Sequence, residues 1–134
     1  MSNQFSAIDA ARECLDLIES FDIAGAAARF APEGVLELPM RPEPLARELR
    51  GAEIEKFMRL LPKLFARLRF VERRYHQTTT ARTAVVEYKG DAVTHTGTPY
   101  LNTYIAVFEF DEQGRVLLWR EYFDPLVLQQ TFAG

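Results

Sequence analysis

The chain has 134 residues, of which 48% are hydrophobic and 12% aromatic. This length and apolar share suffice for one domain with a hydrophobic core, expected over residues 1–134, and they exclude an intrinsically disordered chain. The net charge of −3 is not that of a typical nucleic-acid-binding domain. No apolar run approaches the roughly 20 residues of a membrane span, so neither nucleic acid nor membrane is an expected partner.

One cysteine and two histidines limit the chemistry available through disulfides or metals. Cys14 has no partner for an internal disulfide, which is typical of proteins from the reducing cytoplasm. We therefore expect a cytoplasmic protein that uses neither a metal nor an organic cofactor. The first residues, MSNQFSAIDAARE, lack a basic segment followed by an apolar one, so no signal peptide is expected.

Helical spacing dominates the first part of the chain. Ser6 and Asp9 form a capping-box pattern, and the apolar residues that follow predict a helix to about residue 20. Asp22 predicts the cap of a second, shorter helix, which the sequence PEG at 32–34 ends.

The middle of the chain combines a short strand, a loop and a helix. The sequence VLELP predicts the strand, and the Pro-rich stretch 39–52 predicts an irregular loop. Leucines and phenylalanines at helical spacing predict a third helix over 52–67, with basic residues on its solvated side.

From residue 69 onward the hydrophobic period changes to two. Four long strands are predicted, over 69–78, 83–94, 99–110 and 115–123, and the sequence LVLQQTF predicts a short helix after them. Helices followed by consecutive strands predict an α+β fold, with the helices packed on one face of a curved antiparallel sheet.

The last predicted strand contains an acid among aromatic residues. Alternation places Trp119, Glu121 and Phe123 on one face, and Arg120 and Tyr122 on the other. If the aromatic face is buried, desolvation raises the pKa of Glu121 toward neutral pH, which suits general acid/base catalysis.

The alternative for Glu121 is an internal ion pair. Arg73 or Arg74 on a neighbouring strand could reach the carboxylate and hold it ionised and inactive.

Further polar residues are candidates for substrate binding. Tyr100, Asn102 and Tyr104 alternate onto one face, where they are candidates to line a pocket. The alternative is that the two tyrosines belong to the core, with their hydroxyls reaching water at its rim. His95, beside a predicted turn, is either a second acid/base group or an exposed hairpin residue, and His76 poses the same choice.

Four segments together carry a family resemblance: FDIAGAAARFAPEGVLELP, RGAEI, PYLNTY and FEFDEQGRVLLWREYFDPL. In these segments the chain resembles the SnoaL-like branch of the nuclear transport factor two-like (cystatin-like α+β barrel) superfamily. The resemblance implies a cone-shaped barrel, in which a strongly curved antiparallel or mixed sheet wraps around the helices and leaves one central pocket. It also implies a homodimer through the outer face of the sheet, where Arg120 and Tyr122 lie.

The resemblance to steroid delta-isomerases does not extend to their catalytic residues. Their base corresponds to Leu38, their active tyrosine lies near Cys14, and their hydrogen-bonding acid corresponds to Ala106. None of these side chains can abstract a proton or stabilise an enolate oxygen in the required way. Leu38 therefore enters the candidate list only as a substrate-contacting residue.

Two other groups of the superfamily converge on Glu121. Limonene epoxide hydrolases and PhzA/PhzB proteins are similar to the chain around WREYFD, and a catalytic carboxyl group of each corresponds to Glu121. The epoxide hydrolases also use an Arg-x-Asp pair, for which this chain offers Lys89-Gly90-Asp91, with a different cation.

The sequence thus predicts a small-molecule enzyme with Glu121 as its acid/base and a largely apolar, cyclic substrate. Isomerase, cyclase or dehydratase-like proton transfer is the first reaction class, and epoxide or hydration chemistry is the second. Two alternatives remain: a non-catalytic dimer of the same fold that binds a hydrophobic ligand, and a dimeric interaction module whose pocket is filled by its own side chains.

Overall fold

A computed structural model describes residues 4–132 of the chain. The expected absence of a signal peptide stays a prediction. It concerns the first thirteen residues, of which residues 1–3 lie outside the described part. The helices are α1 (Ala7–Glu19), α2 (Ile23–Ala27), α3 (Ala52–Met58), α4 (Leu61–Leu64) and α5 (Pro125–Phe132), and the strands are β1 (Phe30–Glu37), β2 (Glu48–Arg50), β3 (Phe65–Gln77), β4 (Thr83–Thr94), β5 (Pro99–Phe110) and β6 (Val116–Tyr122).

The strands form one mixed sheet in the order β2-β1-β6-β5-β4-β3. β1 runs parallel to β6, whereas the other neighbouring strands are antiparallel. A parallel neighbour needs a long connection, which the intervening chain between β1 and β6 supplies. Within residues 4–132, β2 and β3 do not pair with each other, so the sheet stays open.

The core lies between α1 and the inner face of the sheet. Helix α1 packs against β3, β4 and β5, and side chains alternate between buried and exposed along β5. Leu15 from α1, Val86 from β4 and Phe108 from β5 are completely buried. The predicted α+β fold, with helices on one face of a sheet, is confirmed.

The predicted starts of the first two helices are confirmed. The Ser6 hydroxyl accepts a hydrogen bond from the Asp9 N–H (3.1 Å), and the Asp22 carboxylate accepts one from the Gly25 N–H (2.9 Å). Each bond satisfies a backbone donor that has no partner within its helix. The terminal helix is also present, as α5.

The predicted helix over 52–67 is wrong beyond Met58, where α3 ends. Pro62 lies at the start of the separate helix α4. Its ring and missing N–H are compatible with a first helical turn but not with the interior of one long helix. The chain then enters β3 at Phe65, earlier than the predicted start at residue 69.

The first predicted strand is too short. β1 begins at Phe30, and its pairing with β6 is irregular between Phe30 and Val35. Pro32 lies within this irregular stretch, which tolerates a residue that cannot donate to a strand ladder. The predicted loop 39–52 also contains the short strand β2, which pairs with the end of β1.

None of the helices in the described residues combines the length and apolar content needed to cross a membrane.

Candidate functional site

A cavity of about 220 Å³ lies between the inner face of the sheet and helices α3 to α5. Its walls are mostly aliphatic and aromatic, with two phenols from β5 among them. Of the described residues that line it, only Arg41 and Glu121 carry a charge. An apolar cavity with a few convergent polar groups is the usual form of a small-molecule site.

Glu121 enters this cavity from β6. The strand pairs Glu121 with Ala106 and Trp119 with Phe108, and both β5 partners are completely buried. Trp119, Glu121 and Phe123 all line the cavity. The predicted alternation is therefore confirmed as a placement of side chains, whereas the catalytic role of Glu121 stays a prediction.

A hydrogen bond fixes the Glu121 carboxyl group. The buried Tyr88 hydroxyl, on β4, donates to Glu121 Oε1. Desolvation raises the pKa of Glu121 to about 7, although the bond from Tyr88 acts in the opposite direction. Desolvation and the neighbouring Glu121 also raise the pKa of Tyr88 well above its ordinary value, so the phenol keeps its proton.

The alternative ion pair with Glu121 does not form. The Arg73 guanidinium instead binds Asp16 (2.7 Å) and Glu19 (3.2 Å) of α1. Among residues 4–132, no cationic side chain lies within 4.0 Å of the Glu121 carboxylate, Arg74 included. Glu121 is thus bound by a neutral phenol, which does not force it to remain ionised.

Tyr100 and Tyr104 supply two phenols to the cavity wall. The Tyr104 hydroxyl donates to the Tyr100 hydroxyl at 3.4 Å, and the Tyr104 ring stacks on Tyr88 with centroids 5.1 Å apart. Burial raises the pKa of both wall phenols, so each keeps its proton. Gly90 makes room for this arrangement, since a Cβ at that position would lie 2.7 Å from the Tyr104 ring.

Asn102 is buried behind the cavity wall rather than in it. Its side-chain amide donates to the Tyr100 hydroxyl (2.6 Å) and to the Asp124 carbonyl (3.1 Å). Its carbonyl oxygen accepts from the Asp124 N–H (3.0 Å) and from the Thr103 N–H. These bonds use the amide to hold Tyr100 and the chain after β6, and the role of Asn102 in substrate binding stays a prediction.

Leu38 lines the cavity, but His95 does not. The exposed imidazole of His95 binds the Pro62 carbonyl at 2.8 Å, which ties the β4–β5 turn to α4. His76 is also exposed, and it contacts Glu87 at 2.7 Å. The role of His95 in substrate binding therefore stays a prediction, which its place outside this cavity wall does not support.

Lys89 and Asp91 do not form a polar pair in the cavity. Gly90 faces inward on β4, so alternation points its two neighbours outward. Lys89 contacts Glu72 at 3.5 Å and Asp91 contacts Arg67 at 3.5 Å, all four being solvent-exposed. In the described structure, this segment therefore supplies no counterpart of the Arg-x-Asp arrangement of limonene epoxide hydrolases.

Two polar residues of the site, Tyr88 and Arg41, were not among the sequence predictions. Alternation in TAVVEYKG could have placed Tyr88 on the inner face of its strand, but its contact with Glu121 depends on how β4, β5 and β6 are aligned. Arg41 gave no signal, since it lies in a loop whose conformation has no simple sequence pattern.

Comparisons with known proteins agree with this architecture. The family model for a SnoaL-like domain matches residues 11–119. An uncharacterised PhzA/B-like protein of Pseudomonas aeruginosa is 35% identical over 122 residues, covering 90% of this chain and 85% of the relative. The uncharacterised Bacillus subtilis protein YesE is 31% identical over 102 residues, covering 75% of this chain and 69% of the relative.

A solved structure supports the same assignment. The crystal structure of a provisionally assigned isomerase from Bacillus subtilis superposes with a TM-score of 0.86 and 27% identity, covering 96% of this chain and 93% of that one. The matched family model, the sequence identity and the matched fold lead to one conclusion: this chain belongs to the SnoaL-like family, within the nuclear transport factor two-like superfamily.

Proposed function

We propose that the protein is a cofactor-independent enzyme that moves protons on a small, mostly apolar cyclic substrate, with Glu121 as the acid/base. The observation that carries this proposal is a cavity-lining carboxyl group whose pKa lies at about 7. A group that titrates near neutral pH can accept a proton from a substrate and return it without a large free-energy cost in either direction.

The surrounding residues suit an enolisation step. Deprotonated Glu121 takes a proton from the carbon next to a substrate carbonyl, and the electron pair moves onto the carbonyl oxygen. Tyr100, whose hydroxyl accepts bonds from Tyr104 and Asn102 instead of donating to them, donates a hydrogen bond to that oxygen as its negative charge develops. Protonated Glu121 then returns the proton to the same or another carbon, which gives exchange or isomerisation.

The similarity to the Bacillus subtilis protein, provisionally assigned as an isomerase, supports this reaction class, at 27% identity. Cyclisation and dehydration use the same carboxyl chemistry and remain within the proposal. Epoxide or hydration chemistry ranks lower because the Lys89-Gly90-Asp91 segment does not supply the second polar pair.

Proton exchange in D₂O tests the proposal without knowledge of the natural substrate. Cyclohexanone, 3-methyl-2-cyclohexenone and 1-indanone serve as probes, and NMR measures deuterium entering next to the carbonyl. We expect wild-type protein to accelerate exchange of at least one ketone, with a rate that rises through about pH 7, where Glu121 loses its proton.

The Glu121→Gln variant is expected to lower that rate by about 10²- to 10⁴-fold, the usual contribution of a general base. Glu112→Gln, in the exposed β5–β6 turn, is the matched control and should leave the rate unchanged. Full exchange activity in Glu121→Gln would contradict the catalytic assignment.

A non-catalytic binder of hydrophobic ligands is the second candidate. It is favoured by the mostly apolar cavity wall and by the Tyr88 bond, which occupies one Glu121 oxygen. Ketones that bind, as seen in the fluorescence of the single tryptophan, Trp119, yet exchange no faster than in buffer would establish this alternative.

We further propose that two copies associate through the outer face of the sheet. Leu101 and Ile105 are exposed there on β5, and Tyr122 pairs with Ile105 from β6. Arg120 on the same face is held by Glu37, with Nε donating to Oε1 at 2.7 Å. A sheet face with adjacent apolar side chains and an ordered arginine has the composition of an interface core.

A further inference from the structure

Arg41 is the second charged residue in the cavity wall, and the proposed chemistry at Glu121 does not use it. It follows β1 in the loop between β1 and β2, and its side chain is half-buried. Around it the wall is apolar, with Phe57 from α3 and Leu45 from the same loop.

The position of the Arg41 guanidinium is fixed by its surroundings. It lies over the Phe57 ring, 5.0 Å from the centroid, and its Nη1 donates to the Ala46 carbonyl at 2.8 Å. Arg47 returns a bond across the loop, since its Nε donates to the Arg41 carbonyl at 2.8 Å. The guanidinium is thus held against the wall instead of extending freely into solvent.

This cation has no anionic partner within residues 4–132. No carboxylate in that range lies within 4.0 Å of the guanidinium, and Ala46 is its one hydrogen-bond acceptor there. A guanidinium has five N–H donors, so most of them are not used by these residues. Burial also lowers the pKa of Arg41, the direction expected for a charge that has lost water without gaining an anion.

We propose that Arg41 binds a carboxylate group of the substrate, which makes the natural ligand an amphiphilic cyclic acid rather than a neutral hydrocarbon-like molecule. This inference rests on the proposed small-molecule function of the cavity. A planar guanidinium pairs with a carboxylate through two parallel N–H···O bonds, and the partly desolvated setting strengthens them. The aliphatic and aromatic wall accommodates the ring of the same molecule.

Binding of three matched probes tests the inference: cyclohexanecarboxylate, cyclohexylmethanol and cyclohexylmethylamine. Fluorescence of Trp119, the single tryptophan, reports occupancy, and isothermal titration calorimetry gives the affinities. Measurements at pH 6 keep Glu121 mostly protonated, so that it does not repel the ligand carboxylate.

We expect wild-type protein to bind the carboxylate at least about 10-fold more tightly than the alcohol, because hydrogen bonds between charged groups contribute more than neutral ones. The amine should bind most weakly. Arg41→Met should remove the preference while its affinity for the alcohol stays within about 2-fold. Arg41→Lys should keep part of the preference, because the charge remains but the paired donors are lost. Arg115→Met, in the β5–β6 turn, is the control and should behave as wild type.

Other results would overturn the inference. Equal affinity of wild type for the carboxylate and the alcohol would do so while leaving the proposed function intact. An equal loss of affinity for the carboxylate and the alcohol in Arg41→Met would show that the side chain only stabilises its loop. If none of the three probes binds wild-type protein, this inference fails together with the small-molecule function of the cavity.

Discussion

At the residue scale, the site depends on how two opposing effects act on one carboxyl group. Burial in an apolar cavity favours the protonated form of Glu121, whereas the hydrogen bond from Tyr88 favours the ionised form. Desolvation is the larger effect, and the pKa settles at about 7. The group can therefore exchange a proton under physiological conditions.

The raised pKa predicts a specific pH dependence of stability. A carboxyl group with a folded-state pKa of about 7 and an ordinary pKa of 4.5 binds its proton more tightly in the folded protein. Its favourable contribution is complete below about pH 4.5 and is lost as the pH rises to about 7. Wild type should therefore lose about 1–3 kcal/mol relative to Glu121→Gln between pH 4.5 and pH 8.

Chemical denaturation of both proteins across this pH range measures the difference. The glutamine retains an oxygen that can accept the Tyr88 bond, so the comparison isolates the ionisation. Glu112→Gln in the exposed turn should follow wild type at every pH. Parallel stability curves for wild type and Glu121→Gln would show that the carboxyl group has an ordinary pKa.

At the element scale, the polar part of the site is built by alignment between adjacent strands. β4 contributes Tyr88 and β5 contributes Tyr100 and Tyr104, while β6 contributes Glu121. Tyr88 pairs directly with Tyr104 across the β4–β5 ladder. The stacked rings require Gly90, which leaves space on the inner face of β4 for the end of the Tyr104 ring.

Gly90→Ala should therefore disturb the site through Tyr104. The new methyl group would lie 2.7 Å from the ring, so the phenol must move or the strand must shift. We expect a loss of about 1–3 kcal/mol in the free energy of unfolding, typical of overpacking a core. Urea denaturation measures it.

A second substitution serves as the control for this prediction. Tyr104→Leu shortens the obstructing side chain, so Gly90→Ala should cost less in the Tyr104→Leu background than in wild type. An equal cost in both backgrounds would mean that Tyr104 is not what the glycine accommodates.

The sequence predicted the outline of this site better than its contacts. Alternation along one strand placed Trp119 and Glu121 on the inner face, because that property needs no knowledge of neighbouring strands. It also placed Asn102 inside, but could not show that the amide is used by the backbone of Asp124. The partner of Glu121 depends on the alignment of three strands, which a single sequence does not specify.

The prediction failed most clearly in the segment after α3. Leucines spaced for a helix also fit a short helix followed by a strand, and Pro62 decides between the two. The loop that carries Arg41 was beyond sequence patterns, since its conformation depends on bonds such as those between Arg41, Ala46 and Arg47.

At the scale of the whole molecule, the inner face of the sheet forms the cavity and the outer face remains available for association. Exposed fractions of 62% for Leu101 and 40% for Ile105 are large for apolar residues within a strand. Burying such surface against a second copy removes it from water, which favours a dimer. The cytoplasmic location and the absence of a cofactor stay predictions.

The proposed dimer predicts that a charge on the outer face separates the copies. Ile105→Asp should convert a wild-type dimer into a monomer, because the interface would have to bury an unpaired carboxylate. Light scattering coupled to size-exclusion chromatography measures the mass. Glu112→Asp in the turn should remain dimeric, and a monomeric wild-type protein at micromolar concentration would contradict the proposal.

Direct titration of Glu121 tests the central claim, that a cavity-lining carboxyl group exchanges its proton near neutral pH. In protein labelled with ¹³C at the glutamate carboxyl carbons, the signal absent from Glu121→Gln identifies the group. We predict a midpoint at about pH 7, and a higher midpoint in Tyr88→Phe, which lacks the hydrogen bond that favours ionisation. A midpoint near the ordinary value of 4.5, unchanged in Tyr88→Phe, would contradict the account.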